Sequence, residues 1–432
     1  MPRHGTAFAC SLLVALGAAG CPEPVAVTFP LGLVQFPVGI VADPCGDYLY
    51  VVNSNFDIGY EGGSIAVLDL ATSEVVSKSS VQIASFAGLI AQHGDPQSCT
   101  KTLYVTSRQD QSVTWITVDR IADAALGRAR PMLSCWDGPV PANRACEGSH
   151  IFGGLDVTPG PGASPFAAIV QPPLGLATAP DDPARLVSAS FDGTVSVLPL
   201  DADGRPPTVL INGTPVLDSA KATSVPLIGG LYGLAVHPRT RQVYATTKAA
   251  PVVFPMTITA QSLTKPTDGS AVQSAQLVPH GAIAITNQTS GREFGRGITF
   301  NAAGTLAFVA YRSPPSLVIL DTTVDTSGHP ENEVRAWVAL GDDPAAVAVA
   351  PTGPSGQERV YVTSYGFNRV HVIDPERAEV VDAIEVGDGP FDLAYVSKTK
   401  KLYVSLFEEG RISVIDCDPV SRDYHDEVAR IR

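Results

Sequence analysis

The sequence predicts an all-β protein, and within that class a seven-bladed β-propeller of four-stranded antiparallel blades, with eight blades as the alternative. Three observations carry this. A short β-rich phrase returns seven times, an alternating run usually ending in Asp follows most returns, and a segment opening on small residues precedes each. Alternation of period two is the mark of strands. One four-stranded sheet cannot bury both faces alone, but radially stacked sheets cover each other, and ring closure removes the open ends.

The recurring phrase gives each blade its second strand. It reads Tyr50-Val-Val-Asn53, Tyr104-Val-Thr-Ser107, Tyr361-Val-Thr-Ser364 and Tyr403-Val-Ser-Leu406, with weaker copies at Leu186–Ala189, Tyr244–Thr247 and Phe308–Tyr311. The third strands are the runs ending at Asp69, Asp119, Asp201, Asp321, Asp374 and Asp416. Each Asp is read as a turn residue accepting nearby backbone N–H groups. The fourth blade is the poorest copy, its third strand near Val252–Met256 lacking the Asp. First strands open on Gly39, Gly88, Gly175, Gly233, Gly297, Ala346 and Asp392, small residues (Asp392 apart) suiting sheets that converge on an axis. A fourth strand, such as Val380 to Val386, follows the Asp. The phrases lie 42 residues apart between Tyr361 and Tyr403 but 82 apart between Tyr104 and Leu186. That long gap is assigned to an insertion at about 121–165, within a single propeller spanning 35–432.

This repeat resembles the YVTN-type β-propeller family, from about Gln35 to Arg432 and most closely in the last two units. The resemblance implies a propeller ring but no single activity. YVTN-like rings occur in surface-layer and secreted proteins, while related rings include lactonases and quinone- or haem-dependent dehydrogenases. Function must therefore be argued from a site.

Residues 1–20 have a short basic start at Arg3, an apolar stretch from Ala7 to Leu16 and a small-residue end, the pattern of a secretory signal peptide. The ending Ala18-Ala19-Gly20-Cys21 resembles a bacterial lipobox, which makes Cys21 the lipid-bearing first residue of the mature chain and 21–34 a tether. The alternative is ordinary secretion with Cys21 unmodified. Pro22 rather than Asp after the cysteine fits transport to the outer membrane, and so a lipid-anchored envelope protein. Without residues 1–20 the chain has 28 basic and 43 acidic residues, a net charge of −15 that disfavours nucleic acid and anionic lipid. Membrane contact through the anchor alone and a monomeric state are expected.

Export permits disulfides. Cys135 and Cys146 bracket a loop they could staple, and Cys45 and Cys99 hold matching places before successive Tyr-Val strands, which leaves Cys417 odd. No C-x-x-C or C-x-x-C-H spacing argues for a metal or haem, and no cofactor is expected. There is no G-x-S-x-G, H-E-x-x-H or phosphate-cradling glycine motif, so no catalytic residue is assigned. His237 before Pro238 reads as a turn cap, His371 as a sheet residue, and Asp201-Ala-Asp203-Gly204 as a turn rather than a calcium loop.

Aligning the phrases puts Ser54, Arg108, Ser190, Lys248, Arg312, Tyr365 and Phe407 at one repeated position, where the second strand meets the face that surrounds the channel mouth. Segments leading into blades add Arg292, Glu293, Arg296, Asp342, Asp343, Asp388 and Asp392, with Phe391 beside them. The candidate binding face is therefore Arg108, Lys248, Arg296, Arg312, Tyr365 and Asp392, suited to a small polar ligand or a peptide partner. Solvated loop tips and inter-blade ion pairs are the plainer alternative. Two functions follow: a non-catalytic binding or scaffolding lipoprotein, or an enzyme of the lactonase or cofactor-dependent dehydrogenase type.

Overall fold

The computed structural model describes residues 27–432 except 125, 154–164, 172–183, 212–213, 219–220, 228–229, 265–270 and 286–294. The expected signal peptide at residues 1–20, Cys21, Arg292, Glu293 and the Gly175-Leu176-Ala177 segment lie outside the described residues. The rest folds as a seven-bladed β-propeller of antiparallel blades, each blade taking its strands from one continuous stretch of chain. First strands are Pro37–Ala42, Ala87–Asp95, Pro165–Gln171, Leu231–Val236, Gly295–Phe300, Pro344–Ala350 and Pro390–Val396. Each touches the next in that order, and the last returns to the first, which closes the ring.

The second and third strands bury almost every side chain, because sheets cover both of their faces. Tyr48–Asn53 and Gly63–Asp69 in blade one are buried throughout. Outermost strands such as Glu379–Glu385 are mostly exposed and polar or short-chained.

Small residues in the first strands have a steric cause. A Cβ on Gly233 would sit 2.4 Å from the Arg296 carbonyl of the next blade. A β-bulge there frees the Gly233 N–H, which donates to Thr246 Oγ1 at 2.8 Å, and that hydroxyl donates onward to the Arg296 carbonyl at 2.6 Å. Blade six repeats the stitch: Ala346 N–H donates to Thr363 Oγ1 at 2.9 Å, which donates to the Phe391 carbonyl at 3.3 Å. One hydroxyl thus satisfies the bulge and joins two blades.

The turn aspartates do what their position predicts. Asp69 accepts from Ala71 N–H, Asp321 from Thr323 N–H, Asp374 from Glu376 N–H and Asp416 from Asp418 N–H, all at 2.8–3.0 Å. Asp201 likewise accepts from Asp203 and Arg205 N–H, and His237 Nδ1 from Arg239 and Thr240 N–H.

Three details of the repeat differ from expectation. Blade two's third strand runs past Asp119 to Asp123, and Asp123 accepts from Leu126 N–H, because this strand pairs on with Arg128–Ser134 as a long hairpin. Much of 121–134 therefore belongs to the blade, and the inserted loop begins at Cys135. In blade three the first strand is Pro165–Gln171, and the pairing of Pro165 with Ser190 gives Ser190 the place of Asn53 and Ser107. Val187 rather than Leu186 then holds the tyrosine position, and Phe191 rather than Ser190 the position at the channel mouth. In blade four the third strand extends from Val252 to Thr264.

Cys45 joins Cys99 and Cys135 joins Cys146, while Cys417 is a buried thiol that burial pushes up to about 12. The first bridge links blades one and two. Beside it the buried Asp43 accepts from Thr100 N–H and Oγ1 at 2.9 Å and from Arg120 at 2.7 Å.

Candidate binding site

The position after each second strand is held by one repeated backbone device. In five described blades the residue before the first strand is left-handed: Phe36 (φ 46°), Phe86 (φ 53°), Gly230 (φ 82°), Asp343 (φ 53°) and Gly389 (φ 70°). Its carbonyl accepts the N–H of the mouth residue: Ser54 to Phe36, Arg108 to Phe86, Lys248 to Gly230, Tyr365 to Asp343 and Phe407 to Gly389, at 2.6–3.1 Å. Glycine adopts this conformation freely. For phenylalanine it is an outlier costing on the order of 1–3 kcal/mol, and such strain concentrates at functional sites.

Aromatic side chains and cations from all seven blades surround the channel mouth. On the blade one and seven side, Phe407 lies 5.4 Å from both Phe36 and Phe56 and 5.9 Å from Phe391, and Phe56 lies 6.0 Å from Phe86. Tyr365 continues the ring 6.5 Å from Phe407. On the opposite side Phe191 and Tyr232 stand 6.3 Å apart. Cations sit on these rings: Arg108 is 5.8 Å from the Phe86 and Phe191 centroids, Lys248 4.7 Å from Phe191, and Arg296 4.3 Å from Tyr232. Burial pulls the Arg108 pKa below its ordinary value, and the ring faces offset part of that desolvation. Arg296 is only 7% exposed.

Between the two sides opens a cavity of about 200 Å³, lined by Phe56, Tyr232, Arg296, Arg312, Ala345, Tyr365, Phe391 and Phe407. Arg312 donates to Asp343 at 2.5 Å, and Tyr365 donates to Glu408 at 2.7 Å; burial, and after it that hydrogen bond, raises the phenol's pKa. Of the residues named from sequence, Arg296, Arg312 and Tyr365 line this cavity, and Arg108 and Lys248 stand on the adjoining rim. Asp392 is engaged elsewhere. Its carboxylate accepts from Ile40 N–H of blade one and from Leu393 N–H, both at 2.9 Å, on the seam where the ring closes. Burial lifts it to about 6, against the lowering effect of those two donors.

Phrase alignment did not reach Phe36, Phe56, Phe86 and Phe191. Phe36 and Phe86 stand immediately before first strands, outside any phrase, though each precedes a small-residue opening at Gly39 or Gly88 and could have been found there.

No family model matches the chain, and no curated protein matches it in sequence. Solved structures match its shape. Hydrazine synthase of Kuenenia stuttgartiensis aligns with a TM-score of 0.52 and 14% identity over 89% of this chain and 96% of that one. Virginiamycin B lyase from Staphylococcus aureus aligns at 0.50 and 10% over 89% and 94%. A functionally unknown protein from Desulfotomaculum acetoxidans aligns at 0.50 and 16% over 85% and 92%. At these identities the likeness concerns the propeller fold alone.

Proposed function

We propose that this protein is an exported, lipid-anchored β-propeller of the YVTN repeat type that binds a ligand without transforming it, through the aromatic and cationic collar at the channel mouth. The observation that carries the reading is the strained phenylalanine pair. Phe36 and Phe86 hold a left-handed conformation that glycine holds in blades four and seven and Asp343 in blade six, and both rings face the collar. A chain selected for stability alone would keep glycine there.

An enzymatic reading requires acid–base groups free to meet substrate. Asp392 has the perturbed acidity of such a group, but both its oxygens accept backbone N–H bonds at the ring seam. The collar carboxylates Asp343 and Glu408 are held by Arg312 and Tyr365.

Two measurements test the reading. The mature wild-type chain should carry acyl mass on Cys21 and fractionate with membranes, and Cys21→Ser should release or leave it unprocessed. Absence of acyl mass overturns the anchor. In a ligand-observed fragment screen, Arg108→Gln and Phe56→Ala should each weaken the hits roughly ten-fold, the loss of one good interfacial contact. Hits indifferent to both changes overturn the collar as the binding surface.

A further inference from the structure

We infer that the loop joining the second and third strands of blade one, residues 54–62, sets Phe56 and Ile58 into the headgroup layer of a bilayer. The inference rests on the lipid anchor at Cys21 and adds to it a surface of the folded ring.

Exposure picks out one side of the ring. Among the described residues, the bulky aliphatic and phenyl side chains more than half exposed are Val27, Phe56, Ile58, Val140, Phe367 and Val420. Four of these six stand on the mouth side. Phe56 and Ile58 share the blade one loop, Phe367 lies in the equivalent loop of blade six, and the Val27 carbonyl accepts the Glu61 N–H at 3.0 Å. Phe407 joins the two loops into one apolar arc, 5.4 Å from Phe56 and 6.5 Å from Tyr365, which precedes Phe367 by two positions. Exposed apolar surface gathered in this way marks a place of contact with a partner or a membrane.

The blade one loop is built to keep its apolar side chains outside. Asn55 is buried beneath it, donating from Nδ2 to the Tyr60 carbonyl at 2.8 Å and to Ser85 Oγ at 2.7 Å and accepting the Tyr60 N–H at 3.1 Å. The Ile58 N–H donates to the Asn55 carbonyl at 3.1 Å, which closes the turn. Ile58 itself is left-handed (φ 55°), an outlier for a β-branched residue, yet its side chain is 62% exposed. Strain and exposed apolar surface are both costs, and packing within the chain offsets little of either.

What the loop meets follows from where the chain leads. Val27, hydrogen-bonded to this loop, is six positions from Cys21, a contour of at most about 20 Å. An acyl chain on Cys21 therefore keeps a bilayer within reach of Phe56 and Ile58, and aromatic rings settle at headgroup level. The acids of the arc, Asp57, Glu61 and Glu408, favour uncharged over anionic headgroups. The contact is apolar, and the anchor supplies the proximity.

The test uses the mature lipidated chain in phosphatidylcholine vesicles with and without bromine on the acyl chains. Ile58→Trp adds an indole at the loop tip, and Val420→Trp adds one beyond Asp416, at the opposite end of blade seven. The wild-type signal is subtracted from each. The emission added by Ile58→Trp should lie to the blue of that added by Val420→Trp, and bromine should quench it several-fold more. Equal quenching overturns the contact. Acyl mass read on the same samples separates the two readings. Without acyl mass the anchor fails and the contact with it, whereas acyl mass with an unquenched Ile58→Trp leaves the anchor and removes the contact alone. In the acyl-free Cys21→Ser chain, a blue shift that grows with protein concentration and needs no vesicles would assign the loop to a second copy and overturn the lipid reading. Ile58→Gly keeps the left-handed turn without the side chain, so its denaturant midpoint should not fall. A clear fall would make Ile58 a packing residue and overturn its place at the membrane.

Discussion

Blade one meets its two neighbours in different ways. Against blade two it is fixed by the Cys45–Cys99 bridge, by buried Asp43 with Arg120 and Thr100, and by Asp69 with Arg128. Against blade seven it offers mostly apolar side chains, with Ile40, Leu49 and Val51 packed on Val396, Tyr403, Ile412 and Val414. That packing is supplemented by the Asp392 hydrogen bond and an exposed Lys398–Asp47 pair. Blades one and two are consecutive in the chain and would stay close in any case. Blades seven and one lie far apart in the chain, and among the described residues no strand of one completes the sheet of the other. Covalent and ionic fastening has thus accumulated where connectivity already helps, and ring closure rests on burial, which is non-directional and adds with area.

The largest expected effect tests the fastened seam. Replacing Cys45 and Cys99 together with Ser opens a loop of 54 residues and should lower unfolding free energy by about 4 kcal/mol, against about 3 kcal/mol for Cys135 and Cys146 with a separation of 11. Denaturant titration reads both. Equal losses, or a smaller loss at the seam, would break the contrast between the two joints.

The closing seam should respond to pH. Burial raises the Asp392 carboxyl from 3.8 to about 6, so the folded chain holds that proton more tightly than the unfolded chain. Stability from this group is present at low pH, is lost as pH rises through that window, and is level above it. Asp392→Asn keeps an acceptor for Ile40 N–H and removes the charge. It should match wild type near pH 4 and exceed it at about pH 7.5 by on the order of 2 kcal/mol, allowing for partial contact with channel water. An Asn variant less stable at both pH values would show that the carboxylate is a net fastener at the seam.

The smallest effect compares one repeat position across the two joints, Phe86 in blade two and Gly389 in blade seven. Phe86→Gly relieves a left-handed phenylalanine and removes ring contacts with Phe56 and Arg108. Those opposing terms should leave stability within about 1 kcal/mol of wild type. Binding of the fragment hits that the collar selects should nevertheless weaken. A large loss of stability with binding intact would make the strain structural and remove the support it lends to the collar.

The fold was legible because its signals are local. A Tyr-Val strand and a turn aspartate need only their own blade, and Asp69, Asp321, Asp374 and Asp416 all accept from the turn that follows. Reading failed where a local signal was degenerate. Leu186-Val187 offers two apolar residues and no aromatic to fix the register, so the phrase was set one residue early and Phe191 was missed at the mouth. Asp119 failed because a longer hairpin carried the strand beyond it. The site was legible as a set of cations but not as a collar. What binds Arg108 and Arg296 into one surface is ring stacking between blades, and no pattern within a single repeat encodes contacts made across seams. Asp392 stood out by residue type, yet its role depends on Ile40, 352 positions away in the chain.

The path by which the chain reaches blade one has a bearing on orientation. Val27 accepts from Glu61 N–H, Phe29 packs 4.9 Å from Tyr60, and Asn53 donates to the Leu33 carbonyl, so residues 27–36 run along the loop that carries Phe56. The polypeptide therefore comes in over the collar rather than behind it. Six residues, 21–26, separate this point from the proposed lipid, a contour of at most about 20 Å. If Cys21 carries the proposed lipid, a ring leashed that closely by its mouth side would face the surface it is tied to. Its ligand would then have to come from that surface or pass through the narrow gap beneath, and a longer leash, made by inserting a flexible spacer after Val25, would widen the gap without touching the collar.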